Sequence, residues 1–101
     1  MAPIRAISKR KFRRVLRRLG FVEDSGRDHI YLEYYHEGRK MVETKVSHGG
    51  GKDISQRLLG HILRDQIHLT SQEFENAVRG ILTAEDYRGI LVERGVLSEN
   101  D

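Results

Sequence analysis

Five histidines and no cysteine set the acid–base chemistry open to this sequence. Neutral imidazole takes a proton and imidazolium gives one near neutral pH, so a histidine serves as general base or general acid. His29, His36, His48, His61 and His68 show no zinc-like pairing, and no thiolate backs them, so no metal site and no cofactor is expected. His61 and His68 fall on or just after a helix, and His36 falls in a loop. His29 and His48 bound a more suggestive stretch, from Gly26-Arg27-Asp28-His29-Ile30-Tyr31 to His48-Gly49-Gly50-Gly51-Lys52. A histidine beside a phosphodiester removes the proton of a ribose 2′-hydroxyl, and the 2′-oxygen then attacks its own phosphorus without protein nucleophile or metal. Cationic side chains and backbone N–H groups stabilise the charge that develops. The plainer reading makes His29 a half-exposed strand residue packing on Tyr31, and His48 a loop cap.

Cations for that chemistry are concentrated at one end. The net charge is +3, yet residues 1–22 hold Arg5, Lys9, Arg10, Lys11, Arg13, Arg14, Arg17 and Arg18 and no acid. The segment 65–101 is acidic, with only Arg79, Arg88 and Arg94 as cations. A positive block attracts phosphate backbones and makes binding salt-dependent. Lys9, Arg10, Arg13, Arg14, Arg17, Arg18, Arg27 and Lys52 are therefore candidate RNA contacts. A solvated basic face is the bland alternative. Gly49, Gly50 and Gly51 offer backbone N–H groups to an anion, in a loop expected to run into a helix N-terminus. Tyr31 and Tyr35 could stack on unpaired bases or simply pack across strands.

The elements that position these residues follow from periodicity. Ser8 is a plausible N-cap for a helix with Phe12, Val15, Leu16 and Leu19 as its stripe, ended by Gly20. Its first turn carries Lys9, Arg10 and Lys11 against the helix dipole, which suggests a partner for their charge. A short strand starts at Phe21-Val22, a second covers 27–35 and a third about 40–46, with His36-Glu37-Gly38-Arg39 as the hairpin loop. Parity buries Ile30, Leu32 and Tyr34 and leaves His29, Tyr31, Glu33 and Tyr35 on an open face. Asp53-Ile54-Ser55-Gln56 has capping-box spacing before a helix with Leu58, Leu59, Ile62 and Leu63 as its stripe. The fold class is α+β: α-β-β-β-α, a three-stranded antiparallel sheet covered on one face by two helices, plus C-terminal helices.

The tail repeats itself. Leu69-Thr70-Ser71-Gln72-Glu73-Phe74 is echoed by Leu82-Thr83-Ala84-Glu85-Asp86-Tyr87, and each copy should start a short helix. The expected division is an α-β-β-β-α unit over 1–68 and a helical extension over 69–101. Short helices need an apolar surface to dock on. A homo-oligomeric interface through Phe74, Val78, Tyr87 and Leu91 is the preferred expectation, with packing on the same unit as the alternative. No apolar run approaches the roughly 20 residues of a membrane span, and the N-terminus is too basic for a secretory signal. A cytoplasmic protein with no membrane partner is expected.

The order and spacing of these motifs resemble the HicA (YcfA-like) family of small toxin ribonucleases, over about residues 12–78. Leu19-Gly20-Phe21 matches the end of the family's first helix. Gly26-Arg27-Asp28-His29-Ile30-Tyr31 is similar to its glycine–histidine–tyrosine signature. His48 to Lys52 resembles its glycine loop, and residues 62–64 and 69–74 resemble its closing segments. The resemblance implies a double-stranded-RNA-binding-like fold, metal-independent cleavage of mRNA through a histidine, and a HicB-type antitoxin partner. Arg27, Asp28 and Val46 stand where the family usually has serine, a further histidine and proline. A non-catalytic RNA-binding module of the same fold is thus one alternative, and a protein–protein adaptor using its basic helix is another.

Overall fold

A computed structural model describes residues 5–49 and 51–98. The Ser8 hydroxyl accepts from the Lys11 N–H at 3.0 Å and starts helix α1 (Lys9–Arg18), whose Phe12, Val15 and Leu16 are buried. Its end is a Schellman turn. Gly20 sits at φ +110°, and the Phe21 N–H reaches back to the Leu16 carbonyl at 3.0 Å. A side chain at Gly20 would be strained in φ and would meet the Tyr34 ring at 3.3 Å.

Three antiparallel strands follow, β2 (Val22–Asp24), β3 (His29–His36) and β4 (Arg39–Ser47), in the order β2-β3-β4. The β3–β4 turn is two residues long, with Glu37 and Gly38 both at positive φ, as a type I′ hairpin requires. Tyr34 faces Val42 while Tyr35 faces Lys40, so Met41 is the extra residue of a β-bulge. Ile30, Leu32, Tyr34, Val42, Thr44 and Val46 are buried as parity requires, but the alternation fails at Glu33, which was expected on the open face and is buried, with Lys40 and Arg27 beside its carboxylate.

Two strand residues at each end of this unit, β1 (Ile7–Ser8) and β5 (Asp53–Ile54), pair antiparallel. This corrects the expected cap. Asp53 is a strand residue, and the N-cap of α2 (Gln56–Ile62) is Ser55, whose hydroxyl accepts from the Leu58 N–H at 3.2 Å. Leu59 and Ile62 are buried, whereas Leu58 points outward and is 49% exposed. The chain then widens into a π-helical turn (Leu63–Ile67), closed by His68 in the left-handed region. That turn meets β4, where Thr44 Oγ1 donates to Gln66 Oε1 at 2.5 Å.

Helices α3 (Ser71–Val78) and α4 (Ala84–Glu93) both carry complete capping boxes, Thr70 with Glu73 and Thr83 with Asp86. Their apolar stripes overturn the expected subunit interface. Phe74, Tyr87 and Leu91 are fully buried in the same cluster as the sheet and α1, so they are core of this chain. The Phe74 ring lies 5.9 Å from Phe12, and Tyr87 lies 5.6 Å from Phe21 and 5.4 Å from Tyr34. The Tyr87 hydroxyl donates to the Ile67 carbonyl at 3.0 Å. No helix among the described residues is long and apolar enough to cross a membrane.

Candidate nucleic-acid interface

The glycine loop is fastened to the start of α1. Pairing of β1 with β5 brings Lys9 beneath it, and the Lys9 N–H donates to the Lys52 carbonyl at 2.8 Å. The Lys9 ammonium donates to Ser47 Oγ and to the Gly49 carbonyl, each at 2.7 Å, and approaches the Ser47 carbonyl at 3.4 Å. Ser47 Oγ in turn donates to the Gly49 carbonyl at 2.9 Å. The sequence placed this loop at the N-terminus of the following helix. β5 and Ser55 intervene, and the helix start beside the loop is that of α1. Gly50 lies outside the described residues.

A recess of about 390 Å³ opens where loop and helix meet, with Lys9, Arg10, Arg13, His48 and Lys52 around the side chain of Ile30. Among the described residues no aspartate or glutamate lines it. Four fixed cations around one concavity make an anion-attracting surface, strongest at low salt. His48 Nε2 is 3.0 Å from the Arg27 carbonyl. A carbonyl only accepts, so this nitrogen carries a proton, and Nδ1 is the acceptor in the neutral ring. The contact also ties the loop to the turn before β3.

The basic helix divides into tethered and free cations. Glu23 on β2 holds two arginines: Arg13 by a two-pronged contact, with Nε to Oε2 at 3.1 Å and Nη2 to Oε1, and Arg17 with Nη1 to Oε2 at 2.7 Å. The Arg13 guanidinium beside Glu23 holds its carboxyl below the usual carboxylate range, against the opposing effect of burial. Arg18 Nη2 donates to the Ala77 carbonyl at 2.6 Å and approaches that of Val78 at 3.3 Å, where the C-terminal end of α3 attracts a cation. The side chains of Arg10, Lys11, Arg14 and Lys52 have no hydrogen-bond or ion-pair partner among the described residues. The free charge is thus a subset of the basic block, and Arg10 and Lys52 bring it to the wall of the recess. Glu23 is the residue that sequence reasoning missed; its only signal was an acid following a run of cations.

The second face of the sheet carries acids of its own. Glu33 and Glu43 stand directly opposite each other, and Lys40 bridges them at 3.5 and 2.9 Å. Arg27 lies with its guanidinium carbon 3.7 Å from the Tyr31 ring centroid, covering one face of the ring expected to stack on bases. His29 sits at the end of this face, half-buried. Its Nδ1 is enclosed and 3.2 Å from Asp28 Oδ2, with the N–H off the line of a hydrogen bond. The His29 imidazole, followed by the Tyr31 hydroxyl at 3.3 Å, holds the Asp28 carboxyl below its ordinary value. With Nδ1 beside a carboxylate, Nε2 is the His29 nitrogen left for chemistry. Asp28 thus stands beside Nδ1, within ion-pair distance of a protonated ring.

His29 and His48 do not line the same recess. His29 borders a second one of about 230 Å³, with Lys45, Asp53 and Leu58, and the two recesses share Lys9 and Ser47 in their walls. Among the described residues no group of three or more His, Cys, Asp or Glu is disposed to hold a metal ion.

No family model, no curated protein and no solved structure matches this chain.

Proposed function

We propose that this chain binds RNA in the recess between α1 and the glycine loop and cleaves it without metal through His29, as its resemblance to the HicA family implies. One observation carries the binding: Arg10 and Lys52 are unpaired cations in the wall of a concavity that no acid lines among the described residues, and α1 carries Lys11 and Arg14, their side chains also unpaired. Lys9 shapes that concavity by holding the loop, and its own donors are engaged. In cleavage, His29 Nε2 takes the 2′-hydroxyl proton while Asp28 steadies the imidazolium that forms. The 2′-oxygen bonds to phosphorus, the P–O5′ bond breaks, and the leaving oxygen takes a proton from the second imidazole, His48. Arg10 and Lys52 balance the charge on the phosphorane. A protein with an acidic surface, of the HicB antitoxin type, would cover the same cations.

A second reading, RNA binding without cleavage, draws on one observation. His29 and His48 border separate recesses, and an acid–base pair must address one phosphate. Incubation with single-stranded RNA in chelator separates the two readings. Cleavage by the wild type that is lost in His29→Ala supports the first. Tight, salt-dependent binding with no cleavage at high protein load leaves the second. No binding even at low salt removes both.

A further inference from the structure

The second recess has features that phosphate attraction does not use. Its floor is apolar, built from Val46 and Ile54 of the core edge and from Leu58, an outward-pointing leucine that the core does not need. Its rim is polar, with Lys45, Asp53 and His29. Lys45 and Asp53 border one small recess yet form no ion pair, and the Asp53 carboxylate has no hydrogen-bond partner among the described residues. The Lys45 ammonium, whose only neighbour of note among the described residues is the Tyr31 ring 5.9 Å away, and the free Asp53 carboxylate border one apolar floor, as the convergent polar groups of a ligand pocket do. At about 230 Å³ the recess lies below the range of about 300–1,000 Å³ typical of drug-sized ligands and suits one planar base.

We infer that this recess takes a single unstacked RNA base, and that Asp53 makes it select guanine. The inference rests on the RNA-binding reading above, because the shared Lys9–Ser47 wall is what would place a base here while its phosphate lies in the basic recess. Single-stranded RNA is read by splaying bases onto apolar surfaces and hydrogen-bonding their edges. A carboxylate only accepts. Guanine alone presents two adjacent donors, N1–H and the 2-amino group, matching both carboxylate oxygens, with O6 left for the Lys45 ammonium. Cytosine and adenine offer an amino group next to a ring nitrogen acceptor. Uracil flanks its single N–H with two carbonyl oxygens, which the carboxylate repels. His29 borders this same recess, so a base seated here lies beside the proposed general base.

The test is fluorescence anisotropy with four uridine-rich oligonucleotides that differ only in the central base, each carrying 2′-fluoro at that ribose to prevent cleavage. Wild-type protein should bind the guanine oligonucleotide more tightly than the all-uridine one by about ten-fold or more, as a bidentate base contact gives. Asp53→Asn should reduce that ratio to about two-fold, because the amide replaces one acceptor oxygen with a donor and no longer repels the uracil carbonyls. Asp53 is exposed, so the fold tolerates the change. Leu58→Ser should weaken guanine binding without altering the salt slope. Equal binding of all four bases by the wild type, or an undiminished ratio in Asp53→Asn, overturns the guanine site and leaves RNA binding standing. Absence of binding to any of the four overturns both.

Discussion

Arg13 lines the basic recess while its guanidinium is locked two-pronged onto Glu23. The same carboxylate holds Arg17, so one acid on β2 neutralises much of the charge that two helix arginines would offer a polyanion. Glu23→Gln should therefore tighten RNA binding and steepen the dependence of log K on log salt, by about 0.7 for each additional phosphate of a single strand that the arginines neutralise. It should also cost roughly 1 kcal/mol of stability, since the pair is partly screened by solvent. Titrations at three salt concentrations check the first, and urea unfolding the second. An unchanged slope would mean that neither arginine reaches the RNA.

Free and tethered cations should behave differently. Replacing Arg10, Arg14 and Lys52 with Gln should lower RNA affinity and flatten the salt dependence, by up to about 0.7 for each phosphate left without its cation. Arg18→Gln should leave the slope alone and reduce stability instead, because its guanidinium caps the carbonyls of Ala77 and Val78. Equal slopes in the two variants would contradict this division.

Cleavage should depend on His29 more than on its neighbour. His29→Ala should lower the rate by about 10²- to 10⁴-fold, with RNA affinity within a few-fold, since a neutral imidazole adds little phosphate attraction. Asp28→Asn keeps the ring in place but removes the charge beside Nδ1, so its effect should be smaller. Single-turnover rates with a radiolabelled oligonucleotide measure both. Full activity in His29→Ala would end the catalytic assignment.

Acid should destabilise the fold through identifiable carboxyls. Glu23 is held below its ordinary range by Arg13, and Asp86 by the Thr83 N–H. Burial pushes Glu73 up, but Arg94 and the Thr70 N–H outweigh it and leave the group lowered. A depressed native value means that the unfolded chain binds more protons in the window between the two values. Stability from these groups is thus complete above the ordinary glutamate value of about 4.3 and is lost as pH falls through the depressed native values. Urea midpoints at pH 6, 4 and 3 should fall in that order, and Glu23→Gln should make the fall shallower.

The C-terminal helices should prove indispensable to folding. Truncation after Gln66 removes Phe74, Tyr87 and Leu91 from the core, and circular dichroism should show an unfolded or molten product. Tyr87→Ala should cost about 3–5 kcal/mol. Tyr87→Phe should cost about 1–3 kcal/mol by leaving the Ile67 carbonyl without its donor. A truncated chain that folds and changes oligomeric state would restore the interface reading.

Local rules in the sequence settled the elements: Ser8, Thr70 and Thr83 as caps, Gly20 and Gly38 as turns, and the parity that buries Leu32 and leaves Tyr31 out. Each depends on neighbours within about four residues, where backbone geometry is nearly decided by residue type. Charge partners lay beyond that range. Nothing within a few residues of Arg13, Arg18 or Lys9 says that they meet Glu23, Ala77 and Gly49, because those contacts exist only after strands and helices pack. The same holds for Phe74 and Tyr87: an apolar stripe states that it must be covered, and only the packed chain determines by what. Residue types alone thus nominated the histidines and the basic block, and tertiary structure decided which cations remain free to meet a phosphate.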